Sequence, residues 1–410
     1  MVSKRYVIVG GGQAALSAAV KLRELDADAS IAMFCAEETP PYQRPPLSKK
    51  YLSGDLDAEK LLLRPLEWYT QNRVDLHLGS PVTGVDRQAK TVSVKGGGAY
   101  AYDRLLLATG TKARHLPESL TRGLGGLYTL RTDRDADSKR PNLVAGNKLV
   151  IVGGGYIGLE VAAVAAGLGL DVTIIEGAPR ILQRVACQDT SDYYRALHTS
   201  HGVAILEDVA LASFTGADGK VSGVVLSDGQ ELAADAVLLA IGVEAETCLA
   251  RAAGVTVDRG IVVDAFCRTS DPSIFAAGDC AEFPLRGEFV RLESVPHAIH
   301  QAEVAAANMV APEGSAGVEY HATPWFWSDQ YDVKLQIAGL NTGYDSTITR
   351  PGRREGSQSI WYYKGDTLLA VDAMNDGAAF MAARRIIEAG GSVPKTVAGD
   401  AGANLKDYMP

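Results

Sequence analysis

The tightest constraint on this chain is a glycine spacing that occurs twice. An apolar run, Leu149 to Val152, reads as a buried strand, and Gly153, Gly155 and Gly158 follow it as G-x-G-x-x-G. An alanine-rich stretch, Val161 to Leu168, reads as a helix, and Asp171 to Glu176 as the next strand with an acid at its end. That order is a βαβ dinucleotide unit. Its glycines allow a tight turn and close backbone approach to a pyrophosphate, and the helix start presents unpaired N–H groups. Glu176 is placed to accept from a ribose 2′-hydroxyl. Its charge opposes a 2′-phosphate, so the unit reads as NAD-binding rather than NADP-binding.

The first copy stands near the N-terminus, where the strand from Tyr6 runs into Gly10 and Gly12, with Ala15 at the third small position. The helix is expected over Ala14 to Leu25 and the second strand over Ser30 to Phe34. One such pattern is weak evidence. Two, each between a strand and a helix, call for two nucleotides, most economically FAD at the first and NAD at the second. The slot aligned with Glu176 holds Cys35 here; Glu37 is the favoured ribose acid, the alternative being that Glu37 and Glu38 are solvated turn acids.

A chain of 410 residues fits two to three domains at roughly 150 residues each. The net charge of −9 gives no signal for nucleic acid or an anionic membrane. The longest apolar stretch, Val161 to Leu170, is too short to cross a bilayer. Five scattered cysteines without a C-x-x-C spacing suit a reducing compartment, so a cytoplasmic protein is expected.

The loop from Pro40 to Lys49 carries four prolines, which should bar a helix through Pro46 and hold the backbone extended. Arg44 and Lys49 are its cations. It could cover a flat cofactor or be a solvated loop. Residues 66–73 read as a helix. Arg104 to Gly110 and Ala236 to Gly242 are matching strands that end in small-residue turns, so the repeat reaches the far ends of both units. Ile274 to Ala276 leads into Gly278 and Asp279, with Asp279 expected at a helix start, either binding a ribityl hydroxyl or serving as an ordinary cap. Pro296 to Met309 reads as a helix. His297/His300 and His198/His201 have helical spacing but no third ligand, so no metal is expected. From about His321 the pattern becomes an antiparallel meander, with strands at Lys334–Ala338, Ser359–Tyr363 and Thr367–Val371, then a helix over Ala378–Ala389.

Eight motifs make the chain specific: P-P-L-S-K at 45–49, L-A-T-G at 107–110, L-R-T at 130–132, G-G-G-Y-I-G-L-E at 153–160, T-S-D-P at 269–272, G-D-C at 278–280, E-S-V-P at 293–296 and P-W-F-W-S-D-Q-Y at 324–331. With them, the chain resembles over nearly its whole length the FAD-dependent NADH:ferredoxin reductases of bacterial oxygenase systems. The resemblance implies an α/β fold: two Rossmann-like dinucleotide-binding domains of glutathione-reductase type plus a small α+β C-terminal domain. FAD-binding segments are expected at 1–109 and 243–320, the NAD-binding domain at 110–242, and the C-terminal domain at 321–410.

The resemblance also implies site residues. For FAD these are Gly10, Gly12, Ala14, Ala15, Glu37, Arg44, Lys49, Val82, Ala108, Arg131, Asp279, Glu293 and Val295. For NAD they are Gly153, Gly155, Ile157, Gly158, Glu160, Glu176 and Gly242. Lys49, Glu160 and Trp327 are the residues expected at the reacting rings, with Lys49 and Glu160 as ionic partners. The family's G-I-G-x-x-P-N segment departs here, with Gly242 followed by Val243, Glu244, Ala245 and Glu246. Related disulfide reductases carry redox cysteines after the first βαβ. Tyr42, Gln43 and Arg44 stand there instead, so flavin electrons must pass directly to an external acceptor. The implied partner is an acidic [2Fe–2S] ferredoxin feeding a terminal oxygenase, with Arg350, Arg353, Arg354, Arg384 and Arg385 as candidates for a basic docking face. Alternatives are an NADH oxidase or rubredoxin reductase, and a partner-binding flavoprotein resembling apoptosis-inducing factor.

Overall fold

The computed structural model describes residues 4–312 and 314–410. It divides into two compact units. The first comprises Met1–Gln43, Ala58–Lys112 and Val243–Pro324, and the second Arg44–Asp57, Ala113–Gly242 and Trp325–Pro410.

The first unit is built on a five-stranded parallel sheet ordered Ile274–Ala276, Arg104–Leu107, Arg5–Val9, Ser30–Phe34, Val74–His77. Its inner strands are mostly apolar, as suits strands covered on both faces, whereas the edge strand Val74–His77 exposes Asp75. The helix Gln13–Leu25 presents Ala14, Ala15, Ala18 and Ala19 to the core, and it packs along the alanine-rich helix Val295–Val310. Side chains this small let two helices approach closely.

The second unit repeats the plan. Its parallel sheet runs Ala204–Leu206, Asp171–Ile175, Lys148–Val152, Ala236–Leu239, Leu127–Tyr128, with the helix Tyr156–Gly167 leading from the glycine turn. The same unit holds an antiparallel sheet ordered Trp325–Gln330, Val333–Gly339, Thr367–Met374, Gln358–Lys364, Ser346–Pro351. Period-two alternation decides its faces. Trp361 and Tyr363 turn toward the helix Gly377–Glu388 and share a core with Phe380, Ala383 and Ile386. Phe326, by contrast, sets its ring 4.9 Å from that of Tyr156, on the nucleotide-fold helix.

Two local expectations change. The prolines do not hold residues 45–48 extended: Pro45–Ser48 forms a 3-10 turn with proline in its first positions, and Lys50–Ser53 continues as a short helix. A proline there loses nothing, because the first N–H groups of a helical turn have no internal partner. Asp279 starts no helix either. It lies in a turn between the strands Ile274–Ala276 and Ala281–Leu285, with Gly278 at φ +82°.

Candidate active site

Each nucleotide fold ends its first strand in a glycine that no other residue could replace. Gly10 has φ +139°, and a Cβ there would stand 2.1 Å from the Ala108 carbonyl oxygen. Gly153 has φ +109°, with a Cβ position 2.5 Å from the Ala240 carbonyl oxygen. A Cβ on Gly158 would meet the Gly153 carbonyl oxygen at 2.1 Å, so the helix can sit against its own turn only without a side chain. Ala14 and Ala15 do the corresponding packing in the first unit, both buried.

Gly12 and Gly155 differ from these. Each is the N-cap of its helix, neither helix has a side-chain cap or an acid in its first turn, and nothing lies within 4 Å of a Cβ built on either. Two uncapped helix starts with open space in front fit the pyrophosphates of two dinucleotides. Ile157 projects from the first turn of the second helix and is 40% exposed, so the cradle has an apolar lip.

The acids at the strand ends diverge. Both Glu176 oxygens accept a backbone N–H, Oε2 from Gly154 and Oε1 from Ala178, each at 2.8 Å. The acid braces the glycine turn while keeping lone pairs for a ribose. At the matching place in the first unit the Cys35 thiol donates to the Gly10 carbonyl at 3.6 Å. Burial, with the Glu37 charge second, pushes that thiol up to about 12. Glu37 accepts the buried Tyr42 hydroxyl at 2.6 Å.

The remaining first-unit candidates lie on other elements. Val82 opens the strand Val82–Asp86, and Val295 opens the helix Val295–Val310, whose cap Ser294 accepts the His297 N–H. Arg291 donates to the Asp279 carbonyl at 3.0 Å and pairs with Glu293 at 2.6 Å. In the second unit Arg44 donates to the Arg131 carbonyl at 2.8 Å, and Gly242 takes φ +96°.

The structure brings Lys49 and Glu160 together: Nζ lies 2.7 Å from the Glu160 carboxylate, with side chains 16% and 4% exposed. Glu160 also accepts Ser48 Oγ at 2.5 Å and Ser328 Oγ at 2.6 Å. A buried carboxylate holding one cation and two hydroxyls has its charge compensated where it stands. Trp327, half-buried, sits one residue before Ser328, its ring 5.6 Å from that of Trp325.

Several residues were missed by sequence reasoning. Ser328 and Gln330 alternate on one face of the strand Trp325–Gln330 and are fully buried, as is His198. A polar pair at period two inside an aromatic strand was the available signal. His198 binds Gln330 and Tyr331, and His201 stacks on Tyr331 at 3.7 Å. Among the described residues no group of three His, Cys, Asp or Glu could hold a metal. Asp372, also missed, is fully buried and takes hydroxyl hydrogens from Tyr362 and Thr190. Burial drives its carboxyl up to about 6 against those two donors.

One expected docking residue is corrected. Arg350 is buried, and its guanidinium donates to the carbonyls of Val397, Ala398, Asp400, Ala401 and Ala403, so it fastens the C-terminal tail. Arg384 pairs with Glu388 and lies over the Trp325 ring at 5.2 Å. Arg353, Arg354 and Arg385 are exposed.

Comparison with known proteins agrees with this geometry. Residues 4–302 match the family model of pyridine nucleotide-disulphide oxidoreductases, and residues 325–409 that of the reductase C-terminal domain. The chain is 42% identical to rhodocoxin reductase of Rhodococcus erythropolis over 383 residues, covering 93% of this chain and 88% of the relative. It is 40% identical to putidaredoxin reductase of Pseudomonas putida over 409 residues, covering 98% and 96%. The crystal structure of a covalent putidaredoxin reductase–putidaredoxin complex superposes with a TM-score of 0.94 at 39% identity, over 99% of this chain and 98% of that one. The chain therefore belongs to the pyridine nucleotide-disulphide oxidoreductases, in the branch that carries a reductase C-terminal domain.

Proposed function

We propose that this protein is an NADH-dependent flavoprotein reductase that passes electrons through FAD to a [2Fe–2S] ferredoxin serving an oxygenase. Bound FAD supplies the redox chemistry, taking a hydride from NADH and releasing electrons singly. The observation that carries the reading is the pair of uncapped helix starts at Gly12 and Gly155, one in each nucleotide fold.

The chain's own residues bind and orient. Gly10 to Ala15 and Glu37 would hold the FAD pyrophosphate and ribose, with Arg44, Val82, Ala108, Arg131, Asp279, Glu293 and Val295 as further FAD contacts. Gly153 to Gly158, Glu176 and Gly242 would hold NADH. Lys49 and Glu160 would order the nicotinamide pocket, and Trp327 would contribute to the flavin site. None of the five cysteines, at positions 35, 187, 248, 267 and 280, falls in the 40–49 loop, so no thiol there relays electrons. This assigns residues 1–109 and 243–320 to FAD binding, 110–242 to NAD binding and 321–410 to the C-terminal domain. A cytoplasmic location fits the free, mostly buried cysteines. Among the described residues no helix is long and apolar enough to cross a membrane.

Stopped-flow mixing with NADH, then with a panel of [2Fe–2S] ferredoxins, tests the reading. Rapid bleaching of the flavin followed by ferredoxin reduction is expected. Bleaching followed by transfer only to oxygen or to rubredoxin would replace the acceptor assignment.

A further inference from the structure

Behind Glu160 runs a line of hydrogen bonds that the electron-transfer reading does not use. Ser328 Oγ lies 2.6 Å from Glu160 Oε1, Gln330 Nε2 lies 3.1 Å from Ser328 Oγ, His198 Nε2 lies 2.8 Å from Gln330 Oε1, and the Tyr331 hydroxyl lies 3.0 Å from His198 Nδ1. Ser328, Gln330 and His198 are each 0% exposed. Burial, the largest influence on His198, lowers its ring to about 4, so it is neutral at pH 7.

The chemistry of each group then sets the direction of every bond. A carboxylate accepts only, so Ser328 donates to Glu160. Once its hydrogen is committed, Ser328 can only accept, so the Gln330 amide turns its NH₂ toward Ser328 and its oxygen toward His198. That oxygen requires a hydrogen on His198 Nε2. The neutral ring then leaves Nδ1 bare, and Tyr331 donates to it. We propose that Ser328, Gln330, His198 and Tyr331 form a hydrogen-bond chain of single polarity, every donor aimed at Glu160, that positions the Glu160 carboxylate against Lys49. The chain transmits orientation and not protons, because the Gln330 carboxamide breaks any proton path. Its members are positioning residues. Ser328 holds one carboxylate oxygen, leaving the other to Ser48 and Lys49. Chains of this kind polarise one another in a low-dielectric interior.

The functional consequence rests on the proposed place of Glu160 in the nicotinamide pocket, but the polarity itself does not. In the wild-type holoprotein, ¹⁵N NMR of the histidine rings, assigned with a His198→Gln variant, should show His198 neutral with its hydrogen on Nε2. A Nδ1–H ring or an imidazolium would overturn the polarity. Gln330→Glu offers Ser328 an acceptor and turns its hydroxyl away from Glu160, while Ser328→Ala removes the link. Both should slow flavin reduction by NADH about tenfold while the Kd for NADH moves by less than about twofold. Ser328→Thr, which keeps the hydroxyl, should recover most of the rate. Unchanged rates in both variants would overturn the positioning role. A wild-type flavin that NADH does not bleach would instead overturn the proposed function and leave the tautomer result standing.

Discussion

Glu176 and the Gly154 backbone are joined: the carboxylate Oε2 accepts the Gly154 N–H at 2.8 Å, at the middle of the glycine turn. The acid expected to choose between NADH and NADPH also shapes the glycine loop proposed to hold the pyrophosphate. Glu176→Ala should therefore do two things. It should raise the KM for NADH about tenfold, a loss of about 1.4 kcal/mol, and it should narrow the preference over NADPH. Steady-state kinetics with both nucleotides checks this. A wild-type enzyme that prefers NADPH would refute the role of Glu176.

The open glycines separate ligand loss from fold loss. Nothing lies within 4 Å of a Cβ on Gly12 or Gly155, so Gly12→Ala and Gly155→Ala should leave the melting temperature of the nucleotide-free protein nearly unchanged. Gly155→Ala should still raise the KM for NADH, and Gly12→Ala should lower the FAD content of the purified protein. If both variants bind their nucleotides as the wild type does, the pyrophosphates lie elsewhere. Gly10→Ala should fail differently: its Cβ would press on the Ala108 carbonyl at 2.1 Å, so the fold itself should lose stability.

Asp372 should leave a signature in stability against pH. Burial raises its carboxyl to about 6 in the folded state from an ordinary value of 3.8. Between those values the folded protein holds a proton that the unfolded chain has released. Its contribution is therefore fully present below pH 3.8 and is lost as pH rises through about 6. Asp372→Asn keeps an acceptor for Tyr362 and Thr190 and has no proton to lose. The stability difference, variant minus wild type, should grow from pH 4 to pH 6 and then level, as thermal melts would show. Parallel curves would mean that Asp372 titrates normally.

The arginines of the C-terminal domain should divide by burial. Arg350→Ala should free the segment around Val397–Ala403 and lower stability, because five carbonyls lose their donor. Arg353→Glu with Arg354→Glu should leave stability and ferricyanide reduction unchanged and raise the KM for ferredoxin. An unchanged ferredoxin KM would remove those two from the docking face.

Much of this molecule was legible in the chain because the relevant physics is local. A strand, a glycine turn and a helix lie within some twenty consecutive residues, and Gly158 is a glycine because of its own turn, whereas Gly10 and Gly153 are pressed by the Ala108 and Ala240 carbonyls of the adjoining strand ends. The second strand of the first unit lies at Ser30–Phe34, as the βαβ order led one to expect. Lys49 and Glu160 were named as partners through family resemblance rather than through any spacing of their own, and their approach to 2.7 Å agrees with that resemblance.

What lay outside local reading involves residues far apart in sequence whose burial decides their chemistry. Arg350 looks like any surface arginine until the tail carbonyls close around it. The spacing of His198 and His201 gave no sign of what either ring does, and His198 proves to be committed to Gln330 and Tyr331. Asp372 carries no motif and acquires its raised carboxyl only where Tyr362 and Thr190 enclose it. By itself, then, the sequence determined the two nucleotide folds and the open helix starts, since these depend on backbone freedom within a short segment. Only the tertiary structure decided which polar groups are buried together and which way their hydrogen bonds run. That depends on removing water from groups brought together from separate elements of the chain, and no local pattern encodes it.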